Sequence, residues 1–205
     1  MGEADSIVGL RERKKVRTEQ TIQDVALRLA VEHGFEQVTV EDIASEVEVS
    51  KATFYRYFTS KEEALTGKPT ENLDRMRAAL DARPASEPVL VAVRNALIDF
   101  IDSLDTDRVL LLRGRLIEEN PSLAALLREH QAAWETLLAE FVASRLGDGP
   151  DIQLRSRIVA GALIATLRAT MDHWRDAGGR TDLHELMVTS LSILAEQRAD
   201  LAVHP

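Results

Sequence analysis

Residues 50–61 carry Lys51, Arg56 and Lys61 and no acidic side chain, in a 205-residue chain whose formal net charge is −9. Among these cations stand Ser50, Thr53, Tyr55 and Tyr57. Ammonium, guanidinium and hydroxyl donors in one cluster suit phosphate oxygens and base edges. A local reversal of charge sign on a short aromatic-rich helix is what gripping a polyanion in a groove requires. A solvated basic face on a small amphipathic helix pair is the plainer alternative.

Bond-making constellations are missing elsewhere. The chain has no Cys, which removes disulfides, thiolate nucleophiles and Cys-based metal sites. Its five His, at 33, 130, 173, 184 and 204, are scattered, with no HExxH spacing. No Gly-rich phosphate loop follows a strand, and no GxSxG occurs. The chain therefore reads as a non-enzyme with no cofactor and no metal site.

The basic cluster needs a scaffold, and residues 39–61, TVEDIASEVEVSKATFYRYFTSK, supply one as two short helices joined by a tight turn. Phe54 and Phe58 are four apart and share a face, which can pack on Val40, Ile43, Ala44 and Val47 of the preceding helix. That leaves Lys51, Ala52, Thr53, Tyr55, Arg56 and Tyr57 for the remaining surface. Thr39 and Ser50 are placed to cap the two helices, and Ser60-Lys61-Glu62-Glu63 opens the next one. An earlier helix over residues 18–33 carries an inward stripe of Ile22, Val25, Ala26, Leu29 and Ala30, and Gly34 stops it.

Upstream, residues 1–10 read as disordered, and residues 11–17 set Arg11, Arg13, Lys14, Lys15 and Arg17 against Glu12 alone. Such a segment is either a basic tail that aids solubility or an arm for phosphates and the adjacent minor groove. Downstream, Gly67-Lys68-Pro69 interrupts a helical pattern over residues 62–83, so a kink or break is expected there. Further breakers separate helical patterns at about 88–104, 108–119, 122–146, 151–177 and 182–199. No segment alternates like a strand. The fold class is all-α: a three-helix helix-turn-helix head and a C-terminal helical bundle. The divisions are a flexible basic arm over 1–17, a head over 18–66 and a bundle over 67–205.

At 45% hydrophobic residues the chain can bury a substantial core. Its most apolar run, residues 158–167, is about half the roughly 20 residues a membrane span needs. No apolar signal segment opens the sequence, so a cytoplasmic protein with no membrane partner is expected.

Residues 18–65 resemble the DNA-binding domain of the TetR (tetracycline repressor) family of bacterial regulators. The resemblance lies in Glu32-His33-Gly34-Phe35, in the run from Val38 through Thr39-Val40-Glu41-Asp42-Ile43-Ala44, and in Val49-Ser50-Lys51-Ala52-Thr53-Phe54-Tyr55-Arg56-Tyr57-Phe58. Ser60-Lys61-Glu62-Glu63-Ala64-Leu65 completes it, and together these cover about a quarter of the chain. By position, the resemblance implies base reading by Lys51, Ala52, Thr53 and Arg56. It implies phosphate contacts from Thr39, Ser50, Tyr55, Tyr57 and Lys61. Two departures stand out. Glu48 occupies the turn where the family usually has Gly, at a cost of about 1 kcal/mol if that residue is left-handed. Glu41, Asp42, Glu46 and Glu48 also make the first helix of the pair acidic, which would weaken DNA binding if they faced phosphates.

The resemblance also implies a ligand cavity in the bundle. Candidates to line it are Met76, Phe100, Leu112, Arg113, Leu116, Trp134, Leu138, Met171 and Trp174, although each suits plain core as well. It further implies a homodimer through the last two helices. Ile158, Gly161, Ala165 and Ala169 on one, and Leu183, Met187, Leu191 and Leu194 on the other, are the expected interface; packing inside one subunit is the alternative. The implied function is a ligand-responsive repressor that binds a palindromic operator in double-stranded DNA and is released by an unknown, hydrophobic small-molecule effector. Two rival readings stay open: an architectural DNA-binding protein on the same scaffold, and a helical small-molecule-binding protein or enzyme whose head no longer binds DNA.

Overall fold

Gly34, at φ 85°, ends a first helix that begins well before the expected position, α1 (Glu3–His33). The computed structural model describes the backbone of residues 3–102, 107–147 and 149–200, and the side chains of 13–102, 109–147 and 149–196. Residues 3–17 are mostly good helix formers with only Gly9 to oppose them, so α1 runs through the segment read from sequence as an irregular arm. Arg13, Lys14, Lys15 and Arg17 are exposed on that helix. The side chain of Arg11 lies outside the described residues.

The chain divides into two compact units: one runs through Pro69 and includes Leu116–Leu123, the other holds Thr70–Arg115 and the chain from Ala124 on. In the first unit a single 3-10 turn, Phe35–Gln37, leads from α1 to α2 (Val40–Glu46), α3 (Lys51–Tyr57) and α4 (Lys61–Thr66). Ile22, Ala26 and Leu29 of α1 meet Val38, Ile43, Ala44, Phe54, Phe58 and Ala64 in one core, with Val25, Val40, Val47, Val49 and Tyr57 packed around it. Gly67, at φ 85°, closes α4, and Pro69 begins α5 (Pro69–Asp81), so the expected interruption is a full break. Proline at a first helical position has no N–H to lose.

The turn between α2 and α3 is a Schellman motif. The Val49 N–H donates to Ala44 O at 2.9 Å and the Glu48 N–H to Ser45 O at 3.1 Å. This geometry requires a left-handed residue, and Glu48 adopts φ 60° to supply it. The same motif closes α9, where the left-handed residue is Gly178.

The second unit contains α5, α6 (Val89–Asp102), most of α7 (Asp107–Glu119) and α8 (Pro121–Leu146), α9 (Ile152–Asp176) and α10 (Leu183–Asp200). Its core is built from Met76 and Leu80, Ala92, Val93, Ala96 and Leu97, Leu137, Leu138 and Phe141, Ala160 and Leu163, and Met187 and Leu191. Arg145 fastens the α5–α6 connection by donating to the carbonyls of Pro84 at 2.5 Å and Arg83 at 2.7 Å. Trp174, fully buried, donates its indole N–H to Thr181 O at 2.9 Å and so ties the end of α9 to the approach of α10. The described residues are helical wherever they are regular, which agrees with the all-α reading.

Glu48→Gly removes a left-handed penalty of about 1–2 kcal/mol and adds about 0.5–1 kcal/mol of unfolded-chain entropy. A net gain of about 0.5–1 kcal/mol is expected, and Glu48→Val, β-branched, should lose stability. Urea unfolding followed by the near-ultraviolet dichroism of Tyr55 and Tyr57, the chain's two tyrosines, checks both directions.

Candidate nucleic-acid interface

Each helix of the pair is fixed at its start by its own side chains. Thr39 Oγ1 accepts from the Asp42 N–H at 3.2 Å while Asp42 Oδ2 accepts from the Thr39 N–H at 2.9 Å, a closed capping box. Ser50 Oγ accepts from the Thr53 N–H at 3.0 Å and opens α3. At α4, Ser60 Oγ accepts from the Glu63 N–H at 3.2 Å, and Glu63 Oε2 accepts from the Thr59 hydroxyl at 2.6 Å.

Phe54 and Phe58 lie inside the head with ring centroids 6.0 Å apart, which sets the rotation of α3. Lys51, Ala52, Tyr55 and Arg56 are thereby exposed, and Thr53 and Tyr57 are half-buried. Tyr55 stands edge-on to Phe54 at 5.6 Å, with half its surface in solvent. The Arg56 guanidinium lies 5.3 Å from the Tyr57 ring centroid and, among the described residues, forms no ion pair. Thr53 Oγ1 sits 3.0 Å from Ser50 Oγ, so both hydroxyls serve the helix start.

Lys61 is placed differently from the reading that gave it to the phosphates. Its ammonium donates to Phe35 O at 2.9 Å and Val38 O at 2.8 Å and lies 4.3 Å from the Phe35 ring centroid. Two of its three N–H groups are engaged within the head, binding α4 to the segment after α1.

The acidic residues of α2 are matched one by one. Asp42 closes the capping box. Glu46 accepts from Arg28 Nη2 of α1 at 2.6 Å, and Arg28 Nη1 holds Glu32 at 3.0 Å. Glu41 accepts from the Lys51 ammonium of α3. That hydrogen bond, followed by the attraction between the two charges, raises the Lys51 pKa above its ordinary 10.5. The same hydrogen bond is the main reason that the Glu41 carboxyl is held below its usual 4.5. The Thr39 hydroxyl, then its N–H, holds Asp42 below 3.8. Arg28 escaped the sequence reading, which took Glu41 only as one acid of a helix that would oppose phosphates if it faced them. The Arg28–Glu32 spacing is visible in sequence, but Arg28 with Glu46 and Glu41 with Lys51 meet only through the fold.

Comparison with known proteins settles the class of this arrangement. Residues 22–65 match the family described as bacterial regulatory proteins, tetR family, and residues 87–199 match the MftR C-terminal domain. The chain belongs to the TetR family of transcriptional regulators. The HTH-type transcriptional regulator TcmR of Streptomyces glaucescens is 35% identical over 202 residues, covering 94% of this chain and 88% of that protein. The fatty acid degradation regulator FadR from Bacillus halodurans has the same fold, with a TM-score of 0.63 at 22% identity over 86% of this chain and 94% of that one. Thermus thermophilus FadR, a TetR-family repressor in complex with lauroyl-CoA, aligns with a TM-score of 0.53 at 22% identity over 91% of this chain and 96% of that one. TetR-family proteins are DNA-binding regulators rather than enzymes, and α2 and α3 lie within the residues that match the family. No helix among the described residues is long and apolar enough to cross a membrane.

Four of the residues expected around a ligand gather in or against the core of the second unit. Met76 and Leu138 are core, and Phe100 packs edge-to-face on Trp134 at 5.0 Å against that core. Trp174 is buried with its indole N–H given to Thr181 O, Leu112, Arg113 and Met171 are half-buried, and Leu116 belongs to the first unit. A groove of about 660 Å³ between α8 and α9 is lined by Ala132, Glu135, Thr136, Ala139, Glu140, Ala143, Gln153 and Arg157, and contains none of them.

The residues expected at a dimer face differ in exposure between the two helices. Ile158, Ala165 and Ala169 of α9 are exposed, Gly161 is half-exposed, and Leu154 adds a further exposed apolar group on that stripe. On α10, Leu183, Met187 and Leu191 are buried and Leu194 packs on the core of the same unit. That stripe is internal because α10 turns it toward α9 and α6, leaving Val188 and Ile193 outermost.

A carboxyl with a depressed folded pKa stabilises the fold above its unfolded value and loses that contribution as pH falls through the folded one. Asp42 should therefore contribute fully at neutral pH and lose its effect below 3.8. Asp42→Asn should be less stable at pH 7 and decline less steeply below pH 3.8 than the parent, as read from urea midpoints across pH. Lys61→Met should lower the stability of the head by about 1–2 kcal/mol through its lost charged hydrogen bonds. A salt slope for DNA binding shallower by about 0.9, with stability unchanged, would return Lys61 to the phosphates.

Proposed function

We propose that the chain is a homodimeric, ligand-responsive repressor that inserts α3 into successive major grooves of a palindromic operator. The observation that carries this is the exposed face of α3: Lys51, Ala52, Tyr55 and Arg56 stand in solvent while Phe54 and Phe58 root the helix in the head. Arg56 and Lys51 suit guanine edges, and Ala52 admits close approach or a thymine methyl. The capped starts at Thr39 and Ser50 and the exposed Tyr55 serve phosphates, with Tyr57 beneath Arg56. Arg13, Lys14, Lys15 and Arg17 extend the positive surface along α1.

A single short helix reads few bases, so a two-fold pair is required for a long site. The α9 stripe of Leu154, Ile158, Gly161, Ala165 and Ala169 supports pairing, because an exposed apolar row beside small residues admits a second helix. Val188 and Ile193 of α10 replace the buried leucine stripe in this reading. The effector is a small hydrophobic molecule held in the bundle, a reading supported by the fold shared with the lauroyl-CoA complex. Its binding must favour the released state over the DNA-bound one, by about 5.5 kcal/mol for a 1:99 to 99:1 shift.

A gel-shift with DNA flanking the protein's own gene, in excess non-specific competitor, is expected to give a sharp shift that Arg56→Ala weakens at least tenfold. Acyl thioesters and other apolar effectors should dissolve the shifted band. Competitor-sensitive smearing across all sequences, with dispersed genomic sites, would favour an architectural role instead.

A further inference from the structure

The Lys51 ammonium and the Glu41 carboxylate are joined across the helix-turn-helix, although both side chains are more than half exposed. The fold does not need this pair. α2 is capped by Thr39 and Asp42, its far end is tied through Glu46 to Arg28, and α3 is anchored by Phe54 and Phe58. Its effect falls instead on Lys51, one of two cations on the exposed face of α3.

We propose that Glu41 is a positioning residue that withholds Lys51 from the phosphate backbone and aims it at base edges. This rests on the DNA-binding reading above. An ammonium carries three N–H donors, and one given to Glu41 leaves two for the O6 or N7 acceptors of guanine. A base contact is thus made with the carboxylate still in place. A phosphate contact is not: drawing Lys51 onto a phosphate brings the Glu41 charge beside it, and the pair presents no net charge to the polyanion. Lys51 then adds nothing to sequence-independent binding, which is the part that salt suppresses. The other cation of this face, Arg56, lies against Tyr57 with no carboxylate partner among the described residues.

The test is the slope of log affinity against log salt for the full-length protein on a 20-base-pair duplex of mixed sequence. Wild type, Glu41→Gln, Lys51→Ala and the double variant are compared, with melting temperatures confirming that each is folded. Glu41→Gln frees one cation for one phosphate. Its slope should steepen by about 0.9, an extra fall of about 3- to 4-fold in affinity between 50 and 200 mM salt. The double variant should keep the wild-type slope, because the pair and the two neutral side chains alike present no net charge, while Lys51→Ala bares the Glu41 charge and should not steepen it. Equal slopes for wild type and Glu41→Gln, or a double-variant slope shallower than wild type by about 0.9, would overturn the proposal. A wild type that shows no salt-dependent binding to any duplex would sink the DNA-binding reading as well.

Discussion

Phe54 on α3 and Phe58, the residue that caps its end, are both sequestered with Ile22, Ile43 and Ala64 in the core of the head. Burying two phenylalanine side chains contributes roughly 3–6 kcal/mol by area, more than any exposed contact on the same helix supplies. Rotating α3 by half a turn would bring Phe54 to water and Arg56 into that core, which has no partner for a guanidinium. The apolar anchor therefore determines which side chains are offered outward. Lys51, Ala52, Tyr55 and Arg56 are accessible because the aromatic pair behind them is not.

A second constraint acts on charge. α2 is acidic, and an acidic helix beside a DNA-reading helix would repel phosphates if its carboxylates were unpaired. The fold assigns each a local role: Asp42 to the capping box, Glu46 to Arg28 and Glu41 to Lys51. Lys61 meanwhile turns inward to two backbone carbonyls. Three cations counted along residues 50–61 thus become one held by a carboxylate, one inside the head and Arg56. The surface is less positive than the sequence count implies, and its selectivity rests more on where each donor is aimed than on total charge.

In the bundle, α9 and α10 show how one helix pair divides its faces. Both carry apolar stripes at helical spacing, but a stripe can be satisfied by the same subunit or by another one. Met187 and Leu191 close the internal core with Ala160 and Leu163, so the α10 stripe is internal. The outer row on α9, from Leu154 to Ala169, has no such cover. Hydrophobic periodicity identifies that a face exists; which neighbour fills it depends on packing.

The helical segments, the capping residues Thr39, Ser50 and Ser60 and the break before Pro69 were legible in the sequence, and the left-handed demand on Glu48 was implied by the family resemblance. Each depends on residues close along the chain: a side chain bonding an N–H three residues on, a proline without a donor, a turn with one required dihedral. The family resemblance was legible for the same reason, since its residues form one continuous run. The extension of α1 to Glu3 was missed because basic, polar residues signal an exposed arm and a helix equally well.

What only the tertiary structure decided were meetings between distant residues. Lys51 with Glu41, Arg28 with Glu46, Lys61 with the carbonyls of Phe35 and Val38, and the inward turn of Met187 and Leu191 all depend on how helices cross. Local sequence determines where helices start, stop and carry apolar faces. The partner of a long, flexible charged side chain is chosen only once packing has set the distance between helices.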